Sequence, residues 1–361
     1  MQYERYNSIM LLGRATPEAT SRFAARHGGL NRVGFYRTAQ GCSVSSIGIG
    51  TYLGERSVET DTAYIQAILA AIQGGVNVID TSLNYRDQRS ERAIGQAIIK
   101  LTQQPRTVDR DELMVCTKAG YLVRGAVPPD LEPTDIVGGM HSMAPAFLAD
   151  QIERSRLNLG LETIDVFYLH NPETQFGFIE QAEFYARIQS AFTALEEAVA
   201  AGKIQYYGAA TWEGFRKSHA LSLTRMAEIA QEVGGTNHHF RFIQLPFNLA
   251  MPEAFTSRHE LLDGKMMTPL EVAQRLSITV VSSATILQGK LAHELPDTLA
   301  EQMPGLETDA QMAIQFGRST PGITTALVGM SSALHVKENL AVAQAQPLDE
   351  QKYLYIYQAG A

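Results

Sequence analysis

The chain has 361 residues, 45% hydrophobic and 19% charged, which excludes a disordered or membrane-embedded protein and allows one large α/β barrel or two ordinary domains. A formal net charge of −8 argues against general attraction to nucleic acid or to an anionic membrane. No apolar run approaches a membrane span, and the short patch at 9–12 lacks the length of a secretory core, so a cytoplasmic location is expected. Of the two cysteines, Cys42 and Cys116, the second lies inside a predicted strand and reads as a reduced core thiol.

Residues 1–33 form an arginine-bearing extension with a helical arm around Pro17 to Arg26, and 34–46 alternates about Gln40-Gly41, a hairpin signal. The chain then becomes regular. A first buried strand at 47–50 precedes a helix at 60–72, whose apolar residues Tyr64, Ile65, Ile68, Leu69 and Ile72 recur at helical spacing before Gly74-Gly75 ends it. Further strand and helix pairs follow at 76–80 and 90–102, 113–118 and 146–159, 164–169 and 180–201, and 204–208 and 213–232. The series ends with 240–245 and 268–276, 278–282 and 307–318, and 324–328 and 333–343. Eight alternations favour parallel strands closed into a (β/α)8 TIM barrel over 34–343, with the extension before it and a tail at 344–361, all in one domain. The stretch 122–142 is too long for a simple loop and is either a lid over the strand tips or an inserted surface hairpin.

Four residues stand at or just beyond strand ends: Asp80, Tyr85, Lys118 and His170. Strand parity puts Asp80 on the face of Val78, Lys118 on that of Cys116 and Met114, and His170 on that of Tyr168. A lysine and an aspartate inside a barrel need each other, and the ammonium can lower the pKa of a tyrosine hydroxyl and make it a usable proton donor. Tyr85 is the candidate hydroxyl, and a neutral His170 would orient or polarise a carbonyl. Gly48-Ile49-Gly50 lacks the third glycine of a dinucleotide fingerprint and no Walker pattern occurs, which removes the main support for a Rossmann fold. His238-His239 has no acidic or cysteine partner at ligand spacing, so no metal is expected. Glu91 reads as an exposed residue at a helix start, in a cofactor or local structural role.

The order and spacing of several motifs resemble the aldo-keto reductase superfamily over nearly all of 34–343. They are the hairpin and Ile47-Gly48-Ile49-Gly50-Thr51, Asn77-Val78-Ile79-Asp80-Thr81-Ser82-Leu83-Asn84-Tyr85 with Ser90-Glu91 and Gly95, and Thr117-Lys118. To these are added Ile164 through His170, Gly202-Lys203-Ile204 with Gly208, Gln244 with Asn248, and Gly329 with Glu338-Asn339. The resemblance implies a barrel that binds NADP(H), more than NAD(H), and reduces a small aldehyde or ketone, or oxidises the alcohol, by hydride transfer. Asp80, Tyr85, Lys118 and His170 would be the catalytic tetrad, with Tyr85 as general acid. Thr51, Thr211, Gln244 and Ser283 would lie along the nicotinamide end. Leu287, Gln288, Gly289 and Lys290 would wrap the pyrophosphate, and Gly329, Ser331, His335, Glu338 and Asn339 would clasp the adenosine end.

Three positions depart from the family pattern. Ala210-Thr211 stands for Ser-Asn, leaving Thr211 as the one hydroxyl to hold the carboxamide. Ser283 replaces a stacking tyrosine, and His335 an arginine. Tyr121, Trp212 and Phe247 suggest a partly apolar substrate pocket, with 122–142, 213–215 and 251–265 as its loops. Two competing readings are an aldo-keto reductase-like cofactor-sensing or partner-binding protein with little catalysis, and a cofactor-free Schiff-base aldolase using Lys118. Neither nucleic acid nor membrane is an expected partner.

Overall fold

The structure is a computed structural model that describes residues 10–103, 106–217 and 221–359. Of the N-terminal extension, residues 1–9 lie outside it. Helix α1 (Pro17–Arg26) matches the expected arm. Thr16 caps it by accepting the Ala19 N–H, and Pro17 occupies a first-turn position that needs no donor. After α2 (Gly28–Arg32), β1 (Tyr36–Ala39) and β2 (Cys42–Ser45) form the expected hairpin, turning at Gln40 and Gly41 with φ of 46° and 85°.

Then follow β3 (Ile47–Gly50) and α3 (Val58–Gln73), β4 (Val78–Asp80) and α4 (Arg89–Thr102), β5 (Met114–Ala119) and α5 (Pro145–Leu159), β6 (Ile164–His170) and α6 (Gln181–Ala200), and β7 (Ile204–Ala210) and α7 (Leu223–Gly234). After β8 (Phe240–Pro246) and α8 (Glu253–Thr256) comes an additional hairpin, β9 (Glu260–Leu262) and β10 (Lys265–Met267), leading to α9 (Pro269–Arg275). The chain closes with β11 (Thr279–Ser283), α10 (Asp297–Gln302), α11 (Asp309–Ser319), β12 (Ile323–Gly329), α12 (Ala333–Leu340) and α13 (Glu350–Ala359). The eight strands from β3 to β8 with β11 and β12 are all parallel, and β11 pairs with β8 to close the barrel.

Parity sorts the core as the alternation of side chains requires. Val78, Met114, Cys116, Val166, Tyr168, Phe242, Val281 and Leu327 fill the barrel interior, while Ile79, Val115, Phe167 and Leu169 face the helices. Ala15, Ala39, Cys42 and Val44 join the interior group, so the extension and hairpin seal the end opposite the strand tips. The seal is fastened by Asp165, which accepts the Ala15 N–H at 2.6 Å on one oxygen and Arg110 and Val115 on the other. Gly208 lets β7 and β8 approach, since a Cβ there would lie 2.0 Å from the Phe242 carbonyl oxygen.

The structure departs from the sequence expectations in three places and, for 122–142, matches the inserted surface hairpin of the two alternatives. The helix expected at 213–232 starts only at Leu223, because Ser222 caps it by accepting the Arg225 N–H; 213–217 is a turn, and 218–220 lie outside the described residues. The stretch 122–142 returns like a hairpin, with Tyr121 bridged to His141 and Leu122 N–H bonded to the Met140 carbonyl. It lies along α5, where Gln151 reaches the Ala126 carbonyl, and it is not a lid. The tail at 344–361 contains α13, whose Tyr353 packs on Phe255 and Phe316. The hairpin of β9 and β10 occupies part of 251–265, expected from sequence to be a substrate loop. Among the described residues no helix is long and apolar enough to cross a membrane.

Candidate active site

At the strand tips opens a cavity of about 1030 Å³. Its floor is built by β4, β5, β6 and β8. Lys118 is fully buried beneath it and donates from Nζ to Asp80 Oδ1 and to the Thr81 carbonyl, both at 2.6 Å. The second Asp80 oxygen accepts from Gln244 Nε2 at 2.8 Å. Burial pushes the Asp80 carboxyl up and by itself would pull Lys118 down. Opposite charges at this distance offset that penalty, and the ammonium is held above its usual pKa.

Lys118 Nζ lies 4.9 Å from the centre of the Tyr85 ring, and that ring meets His170 edge-on at 5.8 Å. From the sequence, the ammonium is expected to lower the tyrosine pKa. Instead burial dominates and the hydroxyl is raised above its ordinary value, with Lys118 pulling against the rise. The phenol therefore keeps its proton at neutral pH, as a donor must.

His170 is pressed far below the ordinary histidine range, first by burial and then by Lys118 and His141, so it is neutral. Its Nδ1 lies 3.0 Å from Ser82 Oγ. His141 anchors the same strand end: Gln175 Nε2 donates to its Nδ1 at 3.0 Å, which leaves Nε2–H to donate to the His170 carbonyl at 2.8 Å. Burial lowers His141 to about 4.

Asp80, Tyr85 and His170 line the cavity, as do Thr51, Thr211, Gln244, Ser283, Gln288, Gly289, Gly329, Ser331, His335, Glu338, Asn339, Tyr121 and Trp212. Three expected contacts are not in the lining. Phe247 is fully buried in the wall and stacks on Phe316 at 6.1 Å, so it cannot form the pocket surface or replace the missing stacking tyrosine. Leu287 and Lys290 point elsewhere, because Gln288 and Gly289 between them adopt left-handed backbone (φ 56° and 89°) that turns the loop. The loops 122–142 and 251–265 do not line the cavity either; of 213–215 only Glu213 does.

Glu91 is fully buried, not exposed. It accepts from Thr117 Oγ1 and Asn158 Nδ2 at 2.7 and 2.8 Å, joining α4 to β5 and α5 behind the barrel, and burial raises its pKa. His239 bonds Glu196 at 2.7 Å, and no group of metal-ligating side chains occurs among the described residues. Ser82, His141, Gln175, Asn171 and Glu173 join the site without being expected from the sequence. Ser82 lies between Asp80 and Tyr85, and Asn171 and Glu173 stand one and three residues beyond His170, so nearness to a strand tip was the available signal; His141 and Gln175 gave none.

A model of the family described as "Aldo/keto reductase family" matches residues 46–237, more than half of the chain. The chain belongs to the aldo/keto reductase family. Its barrel resembles the crystal structure of an aldo/keto reductase from Klebsiella pneumoniae in complex with NADP and acetate, with a TM-score of 0.64, 21% identity and coverage of 90% of this chain and 94% of that one. A putative voltage-gated potassium channel subunit beta of Schizosaccharomyces pombe is 25% identical over 84% of this chain and 86% of its own length. A D-threo-aldose 1-dehydrogenase of a Pseudomonas species is 30% identical over 47% of this chain and 51% of its own. This aldo/keto reductase is therefore placed in a family of oxidoreductases.

Proposed function

We propose that the protein is an NAD(P)H-dependent reductase of aldehydes or ketones, working in either direction, with Tyr85 as the general acid. The observation that carries this reading is the buried Lys118–Asp80 pair beneath a tyrosine and a neutral histidine, with Asp80, Tyr85 and His170 lining one cavity. The cavity walls suit a dinucleotide. Thr211 Oγ1 and Thr285 Oγ1 are buried there without partners, a Cβ on Gly289 or Gly329 would meet no atom within 4 Å, and Ser332 caps α12 beside Ser331, His335, Glu338 and Asn339. Gln244, with its N–H committed to Asp80, keeps Oε1 to accept from a carboxamide.

When bound, the reduced nicotinamide supplies the hydride. Tyr85 gives its proton to the developing alkoxide oxygen, Lys118 and Asp80 fix the charge next to the phenol, and neutral His170 orients the carbonyl. NADPH is the cofactor we favour over NADH, with Ser331 and His335 as the groups nearest the adenosine end. The test is titration with NADPH and NADH followed by nicotinamide fluorescence, together with aldehyde turnover. Saturable binding with turnover is expected, and Tyr85→Phe should bind the cofactor but lose turnover; unchanged turnover in that variant would refute Tyr85 as the acid.

A second reading, a partner-binding protein with slow chemistry, draws on the similarity to the channel-subunit relative. The described part of the N-terminal extension seals the barrel, with Ala15 bonded to Asp165, and is not free to dock a partner there. Co-purification of a stable heteromeric partner with negligible turnover would favour this second reading.

A further inference from the structure

The cavity wall just beyond His170 contains a carboxylate whose charge no cation meets. Glu173 lies three residues beyond His170 and lines the cavity with Tyr121, Asn171, Thr174 and Trp212. Its Oε1 accepts the backbone N–H groups of Trp212, Glu213 and Gly214 at 2.7, 3.1 and 3.2 Å, and its Oε2 has no partner. Gly214 allows this approach, since a Cβ there would stand 3.2 Å from Glu173 Cδ. The neighbouring Glu213 is neutralised by Lys217 at 2.6 Å and Glu253 by Arg216 at 2.8 Å, whereas Glu173 forms no ion pair among the described residues. Among the described residues that line the cavity there is no lysine or arginine.

We propose that Glu173 is a specificity-determining residue: its uncompensated carboxylate, and the Trp212 backbone it holds at the mouth, favour uncharged carbonyl substrates over those bearing a carboxylate or phosphate. This rests on the reductase reading. An anionic substrate in the cavity meets the Glu173 carboxylate, with Glu338 as a second unpaired carboxylate among the described residues of the lining and no lysine or arginine there to offset them; burial raises the Glu173 pKa, so selectivity is read at alkaline pH. A unit charge acting across about 8 Å at an effective dielectric of about 30 alters binding about tenfold. Three N–H donors on one oxygen also fix the turn that carries Trp212, whose carbonyl is held by Arg216 Nε at 3.0 Å.

The experiment uses 4-nitrobenzaldehyde and 4-carboxybenzaldehyde, which match in shape and differ by one charge. Both are measured at pH 8 by NADPH oxidation and by quenching of Trp212, the single tryptophan of the chain. The wild-type protein should prefer the nitro compound about tenfold in kcat/KM and in affinity. Glu173→Gln, which keeps the shape and an acceptor oxygen, should shrink the preference at least threefold by improving the carboxylate substrate alone. Glu173→Ala should shift Trp212 emission and raise KM for both aldehydes more than it lowers kcat. An unchanged preference in Glu173→Gln overturns the proposal. Quenching reads selectivity without turnover, so a protein that binds the aldehydes selectively yet oxidises no NADPH refutes the reductase reading and leaves the Glu173 result standing.

Discussion

Asp80→Asn removes one charge of a pair that is almost wholly inside the barrel: the Lys118 side chain is 0% exposed and that of Asp80 5%. The substitution preserves shape but leaves the ammonium with the Thr81 carbonyl and one amide oxygen. Breaking a buried pair from one side costs about 3–5 kcal/mol, because the remaining charge stays desolvated. A second consequence follows at Gln244. If the asparagine turns its oxygen to Lys118, its N–H₂ faces Gln244 Nε2, two donors meet, and the Gln244 amide must flip and offer a donor to the cavity. Urea unfolding followed by circular dichroism should show a loss of about 3 kcal/mol or more with m unchanged, and NADPH titration a weaker affinity. Combining Asp80→Asn with Lys118→Met should recover much of the stability and none of the activity. A loss below about 1 kcal/mol in the single variant, or no recovery in the double, would refute the account of a charge pair whose members need each other.

Further outcomes are expected. His141 has a folded pKa of about 4 against an unfolded value of about 6.5, so the unfolded state gains protons first and stability is lost as pH falls from about 6.5 toward 4, by about 3 kcal/mol in total. His141→Gln should flatten that part of the wild-type stability–pH curve, and a parallel curve would refute the assignment. Gly208→Ala should prevent folding or lower Tm by several degrees, since its Cβ would collide with the Phe242 carbonyl and each kcal/mol shifts Tm by about 2 °C or less in a chain longer than about 250 residues. Gly329→Ala meets no atom within 4 Å and should leave Tm unchanged while weakening NADPH binding. Asp165→Asn should release the N-terminal seal, read as faster proteolysis after Arg14 and a loss of about 2–3 kcal/mol, since three hydrogen bonds end on that carboxylate.

The barrel was legible because its signals are local and repeated. Apolar runs ending in Gly74-Gly75, period-3.6 helices such as α3, and the Gln40-Gly41 turn each state their own structure, and parity alone puts Asp80, Lys118 and His170 on the inner face. What failed to show was set by partners distant in the chain. Glu91 looked like a solvated helix start until β5 and α5 closed over it, and Phe247 looked like pocket wall until Phe316 covered its face. Tyr85 was expected to be acidified by Lys118, but the depth of the cavity decides the sign of its shift. Glu173 carries no motif; its role arises because three N–H groups about 40 positions away fold onto it. Sequence by itself determined the order of strands and helices and the inward-facing charges, since these depend on side-chain spacing along one segment. Only the tertiary structure decided which charges are compensated and which walls face the cavity, because desolvation and hydrogen bonding depend on what packs across it.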